Sequence, residues 1–286
     1  MIYLSVFEFL NDDKEFDFIQ KNGRMTCFNT YYPFGIFPES ELAKLEFEPV
    51  TVLYGGNGTG KSTVLNIVAD KLNLKRNSRY NKSNFFDDYV RLCNVQTEKV
   101  IPKESRIITS DDVFNYILDI RSLNSGIDKK RDEIMSEYTA NKYSDFRITS
   151  IDDYEKLKAV NKARSKSMSK YIKSELMGNT REYSNGESAF KYFTSNIKED
   201  ALYLLDEPEN SLSPKLQIEL VDFLENSARF FGCQFVISTH SPFILAMKGA
   251  KIYNLDSVPV RTARWTELEN VRVYFDFFEK HSHEFK

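Results

Sequence analysis

Two segments of this chain are almost unbroken in apolar residues, and each leads into a stretch with helical periodicity. Pro49-Val50-Thr51-Val52-Leu53-Tyr54 predicts a buried strand. After residue 63, Val64, Val68 and Leu72 share one face with Leu65 and Ala69 beside them, which predicts a helix. Ala201-Leu202-Tyr203-Leu204-Leu205 predicts a strand covered on both faces, as in a parallel sheet. Beyond Asn210-Ser211-Leu212, Ser213 and Pro214 suit an N-cap and first helical residue, and Leu216, Leu220, Phe223 and Leu224 then keep helical spacing. Cys233-Gln234-Phe235-Val236-Ile237 is a further buried strand. Strand–helix–strand with the strand ends on one side is the βαβ unit, and such sheets bind ligands at their carboxyl edge.

The flanks read differently. From Met1 to about Glu48 the aromatics Tyr3, Phe7, Phe9, Phe16 and Phe18 stand at near-alternate spacing and predict antiparallel strands. Residues 116–180 are polar and rich in Lys, Glu and Ser, without a sustained heptad, and predict a compact helical insert. Thr266-Glu267-Leu268-Glu269 suits a capping box opening a helix over about 266–280, with Leu268, Val271, Phe275 and Phe278 on one side. No repeat or linker divides the chain, so the expectation is a single α/β domain over residues 1–286.

Composition narrows the class only slightly. Hydrophobic residues at 41% and charged residues at 28% are ordinary for a globular protein. The formal charge of −3 gives no global pull toward nucleic acid or an anionic membrane, so such binding would need a local patch. Lys129, Lys130 and Arg131 form one basic cluster in the insert, and Lys162, Arg164, Lys166, Lys170 and Lys173 form another around Tyr171. These residues suit nucleic-acid phosphates, and equally a solvated helix face. Cys27, Cys93 and Cys233 are odd in number and far apart, which predicts reduced core cysteines and a cytoplasmic protein. His281 and His283 lack partners at metal-binding spacing. Asp12, Asp13 and Glu15 argue against a signal peptide, and no apolar run nears the roughly 20 residues that span a bilayer.

The chemistry sits at the ends of the buried strands. Gly55-Gly56-Asn57-Gly58-Thr59-Gly60-Lys61-Ser62-Thr63 fits G-x-x-x-x-G-K-[ST] at every fixed position, between a predicted strand and a predicted helix. Glycines let backbone N–H groups turn inward around phosphate oxygens, and the helix N-terminus adds partial positive charge. Lys61 would reach the β- and γ-phosphates of ATP, and Ser62 would place its hydroxyl on Mg²⁺. Asp206 and Glu207 end the second buried strand, where Asp206 would hold Mg²⁺ and Glu207 would act on the attacking water as general base. His240, after the third, could hydrogen-bond a γ-phosphate or that water. Ser184-Asn185-Gly186-Glu187 suits an anion-gripping turn, and a capping box explains Ser184 and Glu187 equally well.

Taken in order, these segments resemble the ATP-binding-cassette (ABC) type ATPases. Gly55–Thr63 resembles the Walker A loop and Tyr183–Glu187 the signature motif. Leu202–Glu207 resembles Walker B, Asn210–Ser213 the D-loop, and His240 the switch histidine. Ser213 and Glu187 depart from the usual aspartate and glutamine, and Asp111, after Arg106-Ile107-Ile108-Thr109, stands where the Q-loop glutamine and metal contact would be. Gln96 is the other candidate. Asp-Glu-Pro-Glu-Asn-Ser-Leu-Ser-Pro and Ser-Thr-His-Ser-Pro are similar to the soluble RecF/SMC-like branch, which works in genome maintenance, mobile elements and phage defence.

The resemblance implies a P-loop NTPase fold: a parallel-sheet core with an antiparallel β lobe. It implies that ATP and Mg²⁺ are bound by Gly55 to Thr63, with Ser62, Asp206 and Asp111 at the metal and Lys61, Glu207 and His240 in catalysis. It further implies an ATP-dependent homodimer in which Ser184, Asn185, Gly186 and Glu187 complete the partner's site. The coupled partner would be a protein encoded nearby, or nucleic acid. A transporter ATPase and an ATP-sensing switch with little turnover are the rival readings.

Overall fold

The computed structural model describes residues 1–22, 27–146, 154–176, 178 and 184–285. In chain order the first elements are β1 (Leu4–Glu8), α1 (Asp12–Lys21), α2 (Ile36–Glu39), β2 (Lys44–Glu46), β3 (Val50–Tyr54), α3 (Lys61–Lys71), α4 (Phe86–Leu92), β4 (Asn94–Thr97) and β5 (Arg106–Thr109). Helices α5 (Ser110–Lys142), α6 (Tyr154–Ser165), α7 (Met168–Glu175) and α8 (Asn185–Asn196) follow. The chain continues through β6 (Leu202–Asp206), α9 (Pro214–Phe230), β7 (Gln234–Ser238), α10 (Pro242–Leu245), β8 (Lys251–Asn254), β9 (Arg261–Thr262) and α11 (Glu269–Lys280).

The unbroken apolar runs become the interior of a six-stranded sheet of order β5-β6-β7-β3-β8-β9. All its pairings are parallel except that of β9 on β8. Every residue of β3 and β7 is buried, as expected of central strands with both faces covered. The register sets Asp206 beside Ser238, and Ser238 beside Leu53, so the loops leaving β6, β7 and β3 emerge at one edge. Ser213 caps α9 by accepting from the Leu216 N–H at 3.4 Å, with Pro214 in the first turn.

A three-stranded antiparallel sheet, β2-β1-β4, lies against this core. Phe7 and Leu45 from that sheet, Val64, Leu65 and Val68 from α3, Phe86 and Tyr89 from α4, and Leu202, Leu204 and Val236 from the parallel sheet form one buried cluster. The two sheets are also joined by one polar side chain. Gln234, fully buried in β7, accepts at Oε1 from the N–H groups of Tyr3 (2.8 Å) and Leu4 (2.9 Å). Its Nε2 donates to the carbonyls of Leu4 (2.8 Å) and Glu48 (3.2 Å). Replacing it with leucine strands two buried donors, so Gln234→Leu is expected to cost about 2–4 kcal/mol. Urea unfolding of the two proteins measures this, and an unchanged midpoint would show the tether to be idle.

The N-terminal alternation holds only as far as Glu8. Phe16 and Phe18 fall on α1, not on a strand, and Phe16 is exposed. Local chemistry decides this: Asn11 caps the helix by accepting from the Lys14 N–H at 3.2 Å, and Asp12, Asp13 and Glu15 load its first turn with negative charge. Cys27 is exposed, so only Cys93 and Cys233 are core cysteines. The C-terminal helix begins at Glu269. Glu267 caps a separate short 3₁₀ turn over Trp265–Glu267 by accepting from the Arg264 N–H, so the capping box stands ahead of that turn, not of the helix.

The chain forms two compact units, residues 1–114 with 185–286, and residues 115–184. In the second unit Ile134, Tyr138, Ala163 and Tyr171 make a small buried cluster, and the Tyr138 hydroxyl donates to the Lys166 carbonyl at 2.9 Å. Lys162 pairs with Glu175 at 2.5 Å and Arg131 with Asp128, which offsets part of the charge of each basic cluster.

Candidate active site

The loop between β3 and α3 turns on Gly58 and Gly60, at φ of 88° and 89°. This left-handed backbone is open to glycine without strain. A side chain at Gly55 would put its Cβ 2.6 Å from Thr59 Oγ1. The first-turn N–H groups of α3, from Lys61 to Thr63, have no intrahelical acceptor and follow directly on the loop.

Lys61 is 5% exposed, and its ammonium lies inside the loop. It donates to the carbonyls of Gly55 (2.8 Å) and Gly56 (3.0 Å), and lies 2.9 Å from His240 Nε2. For that third contact to be a hydrogen bond, the imidazole must be neutral with its proton on Nδ1. The electrostatics agree. Burial, and then the Lys61 charge, hold His240 below the ordinary histidine value. Burial also pushes Lys61 down, against the pull of Glu207, Asp206, Asp256 and Glu209.

Asp206 ends β6 and accepts at Oδ1 from Ser62 Oγ at 3.0 Å and from the Ser238 hydroxyl. Burial raises its pKa, and the two hydroxyl donors oppose the rise. Glu207 has φ of 48°, unusual for a residue with a side chain, and its N–H is held by the Ser238 carbonyl at 3.0 Å. Such strain, of order 1–3 kcal/mol, persists only where the surroundings over-determine it. It aims the carboxylate back over the edge, with Oε1 3.6 Å from His240 Nε2 and Oε2 accepting from Asn210 Nδ2 at 3.1 Å. Lys61, Ser62, Asp206, Glu207 and His240, far apart in sequence, thus meet at the carboxyl edge.

A cavity of about 660 Å³ opens beside Ser62, Thr63 and Asp206 and is also lined by Asp111, Tyr32 and Arg76. The Arg76 guanidinium lies over the Tyr80 ring at 3.9 Å, and its Nη1 is buried with no hydrogen-bond partner among the described residues. Its Nη2 donates to Asn66 Oδ1 at 2.5 Å, and a guanidinium with one buried N–H group still unpartnered beside a glycine loop suits a phosphate. Ser62 and Asp206 together offer the one hydroxyl and one carboxylate that a phosphate-borne Mg²⁺ asks of a protein. The residues therefore fit ATP with Mg²⁺.

The remaining candidates fall in several places. Asp111 is in the first turn of α5 and borders the same cavity. Its neighbour Asp112 is buried, accepting from the Thr109 N–H at 2.8 Å. Gln96 is on β4, in the antiparallel sheet. Tyr32, not among those candidates, lines that cavity and reaches the loop helix, its hydroxyl bonded to Thr63 Oγ1 at 3.0 Å. Asn57 and His240 line a second cavity, of about 1100 Å³, with Asn210 and the α11 aromatics Tyr274, Phe275 and Phe278. Asn185, Gly186 and Glu187 form the first turn of α8; Ser184 is the last residue of the second unit, and Tyr183 lies outside the described residues. Gly186 abuts the D-loop: a Cβ there would come 3.1 Å from the Ser211 carbonyl.

Besides Arg76, three site residues were not anticipated. Glu209 accepts from the N–H groups of His240 (2.7 Å) and Ser241 (3.2 Å) and from Thr239 Oγ1 (2.7 Å). Asn270 Nδ2 donates to the His240 carbonyl at 2.7 Å, and Asp256 accepts from the Gly56 N–H at 2.7 Å. The run Asp-Glu-Pro-Glu held a signal for Glu209, a second carboxylate on the same turn. Asn270 and Asp256 carry no local signal.

A parallel sheet whose central strand runs through a glycine loop into a helix, with an acidic pair closing a strand two places away, is the P-loop NTPase fold. The family profile described as ABC transporter matches residues 43–210, over half of the sequence, and the chain belongs to this ABC family. A shorter profile, described as AAA domain, AbiEii toxin, Type IV TA system, matches residues 179–246. Among the curated proteins none matches. Among solved structures, the chain is similar to a dimeric ATP-binding cassette in a post-hydrolysis state with ADP and Pi, at 15% identity and TM-score 0.37, covering 79% of this chain and 90% of that one. It is also similar to an Smc head domain from Pyrococcus furiosus bound to the C-terminal domain of ScpA, at 14% identity and TM-score 0.40, covering 84% and 95%. No helix among the described residues is long and apolar enough to cross a membrane.

Proposed function

We propose that this chain hydrolyses ATP with Mg²⁺ at the β3–α3 loop and does so as an ATP-dependent homodimer. Family membership supports ATP binding and hydrolysis in general terms. The observation that carries the specific reading is the convergence of Lys61, Ser62, Asp206, Glu207 and His240 within hydrogen-bonding or ion-pair reach of one another. Bound Mg²⁺ would neutralise charge on the β- and γ-phosphates, with Ser62 and Asp206 holding it. Lys61 leaves its carbonyls for phosphate oxygens, Glu207 takes a proton from water at Oε1, and neutral His240, its proton on Nδ1, accepts at Nε2.

Two features support the dimer. Asn57, Asn210 and His240 border one cavity at the carboxyl edge, where a second subunit would have all three within reach. Gly186 packs directly on the D-loop, so signature and D-loop would meet a partner as one surface. A γ-phosphate shared between two such surfaces makes association depend on ATP and lapse on hydrolysis. We assign the chain to the soluble RecF/SMC-like branch on its Asp206–Pro214 and Ser238–Pro242 segments, with nucleotide state coupled to a partner in genome maintenance or defence. The test is phosphate release with ATP and Mg²⁺, alongside light-scattering mass with ATP and with ADP. Mg²⁺-dependent turnover and a mass that doubles only with ATP are expected; turnover by a chain that stays monomeric would remove the dimer.

A further inference from the structure

His240 acts from a loop, and loops are not rigid by themselves. β7 ends at Ser238, so neither the N–H nor the carbonyl of His240 belongs to a sheet ladder. Both are nonetheless held, the carbonyl by Asn270 Nδ2 at 2.7 Å and the N–H by Glu209 Oε1 at 2.7 Å. The same Glu209 oxygen takes Thr239 Oγ1 at 2.7 Å and the Ser241 N–H at 3.2 Å. One carboxylate oxygen therefore gathers donors from three successive residues. Its other oxygen, Oε2, is buried without a hydrogen-bond partner among the described residues.

We propose that Glu209 is the positioning residue for His240, a carboxylate on the turn after Glu207 that fixes the switch loop so that the imidazole meets Lys61 and Glu207. The inference rests on the ATPase reading for its kinetic consequence but not for its structural one. A residue kept only to fill space would not bring a carboxyl group here. Burial raises its pKa, and the hydrogen bonds from the switch loop oppose the rise. Glu209 stands two residues beyond Glu207, so the turn that carries the proposed base also sets the position of the histidine. Gln217 of α9 adds a second tie, accepting from Ser241 Oγ at 2.7 Å and donating to the Leu212 carbonyl at 2.9 Å. The 2.9 Å contact between His240 and Lys61 leaves little room for drift.

The test compares Glu209→Ala, Glu209→Asp and Glu209→Gln, each alone and with His240→Ala. The readouts are kcat, KM for ATP, and the ring ¹⁵N signals of His240, which shares the chain only with His281 and His283. Glu209→Ala is expected to lower kcat about 100-fold, as an ångström-scale misplacement does, with KM changed less than about threefold. The His240 signals should shift or broaden. Glu209→Gln, whose amide oxygen still accepts, should stay within about fivefold of the wild type. The double variant Glu209→Ala/His240→Ala should be no slower than His240→Ala, since both remove one function. Losses that multiply, or unmoved ring signals in Glu209→Ala, would overturn the proposal.

Should Glu209→Ala fail to fold, Glu209→Asp decides. Its carboxylate, withdrawn by one methylene, cannot gather all three donors, so normal turnover and normal ring signals there would overturn the proposal equally. A wild-type chain with no turnover would instead defeat the ATPase reading, and the ring signals alone would then judge Glu209.

Discussion

Glu207→Gln is expected to slow ATP turnover by at least about 100-fold while leaving ATP affinity within a few-fold of the wild type. The carboxylate's neighbours separate the two effects. Glu207 makes no hydrogen bond to the glycine loop among the described residues, and its backbone is held by the Ser238 carbonyl whichever side chain it bears. Glutamine keeps the shape and can still accept from Asn210 Nδ2, now 3.1 Å from Oε2, but it cannot take a proton from water. Loaded with ATP, the variant should accumulate as a dimer that light scattering detects and ADP does not support. Unchanged turnover would remove Glu207 from the role of base. A monomer with ATP bound would leave the base standing and remove the sandwich.

What could be read from the sequence was local. The strand and helix around Gly55–Thr63 follow from an apolar run, a glycine pattern and a helical period, all within about twenty-five residues. The same holds for Ser213 and Pro214 at the start of α9. The alternating aromatics misled at Phe16 and Phe18 because a period of two over few residues is weak against a helix cap, and Asn11 with its acidic neighbours supplied one. Asn270 and Asp256 were not legible for a different reason. Each acts on a residue brought near it by the fold, largely through the strand order β6-β7-β3-β8, which no stretch of sequence encodes by itself. Asp256 reaches Gly56 only because β8 lies beside β3, and Asn270 reaches His240 only because α11 returns to that edge.

Lys61→Ala is expected to lower ATP affinity at least about 100-fold, roughly 2.7 kcal/mol, and to abolish the ATP-dependent dimer with it. The magnitude is that of one or two hydrogen bonds from a cation to phosphate oxygens in a nearly dry site. The substitution should be readable because it need not unfold the protein. Burial already disfavours the Lys61 charge, so its removal relieves a cost that partly offsets the two carbonyl bonds lost. A further consequence lies at His240. The Lys61 charge helps to hold that imidazole below its ordinary value, so its pKa should rise in the variant, though not fully, since burial is the larger cause and remains. Calorimetric titration with ATP gives the affinity, and the pH dependence of the His240 ring signals gives the shift. ATP affinity within tenfold of the wild type would mean that the ammonium holds the loop and the histidine together and leaves the phosphates to the backbone.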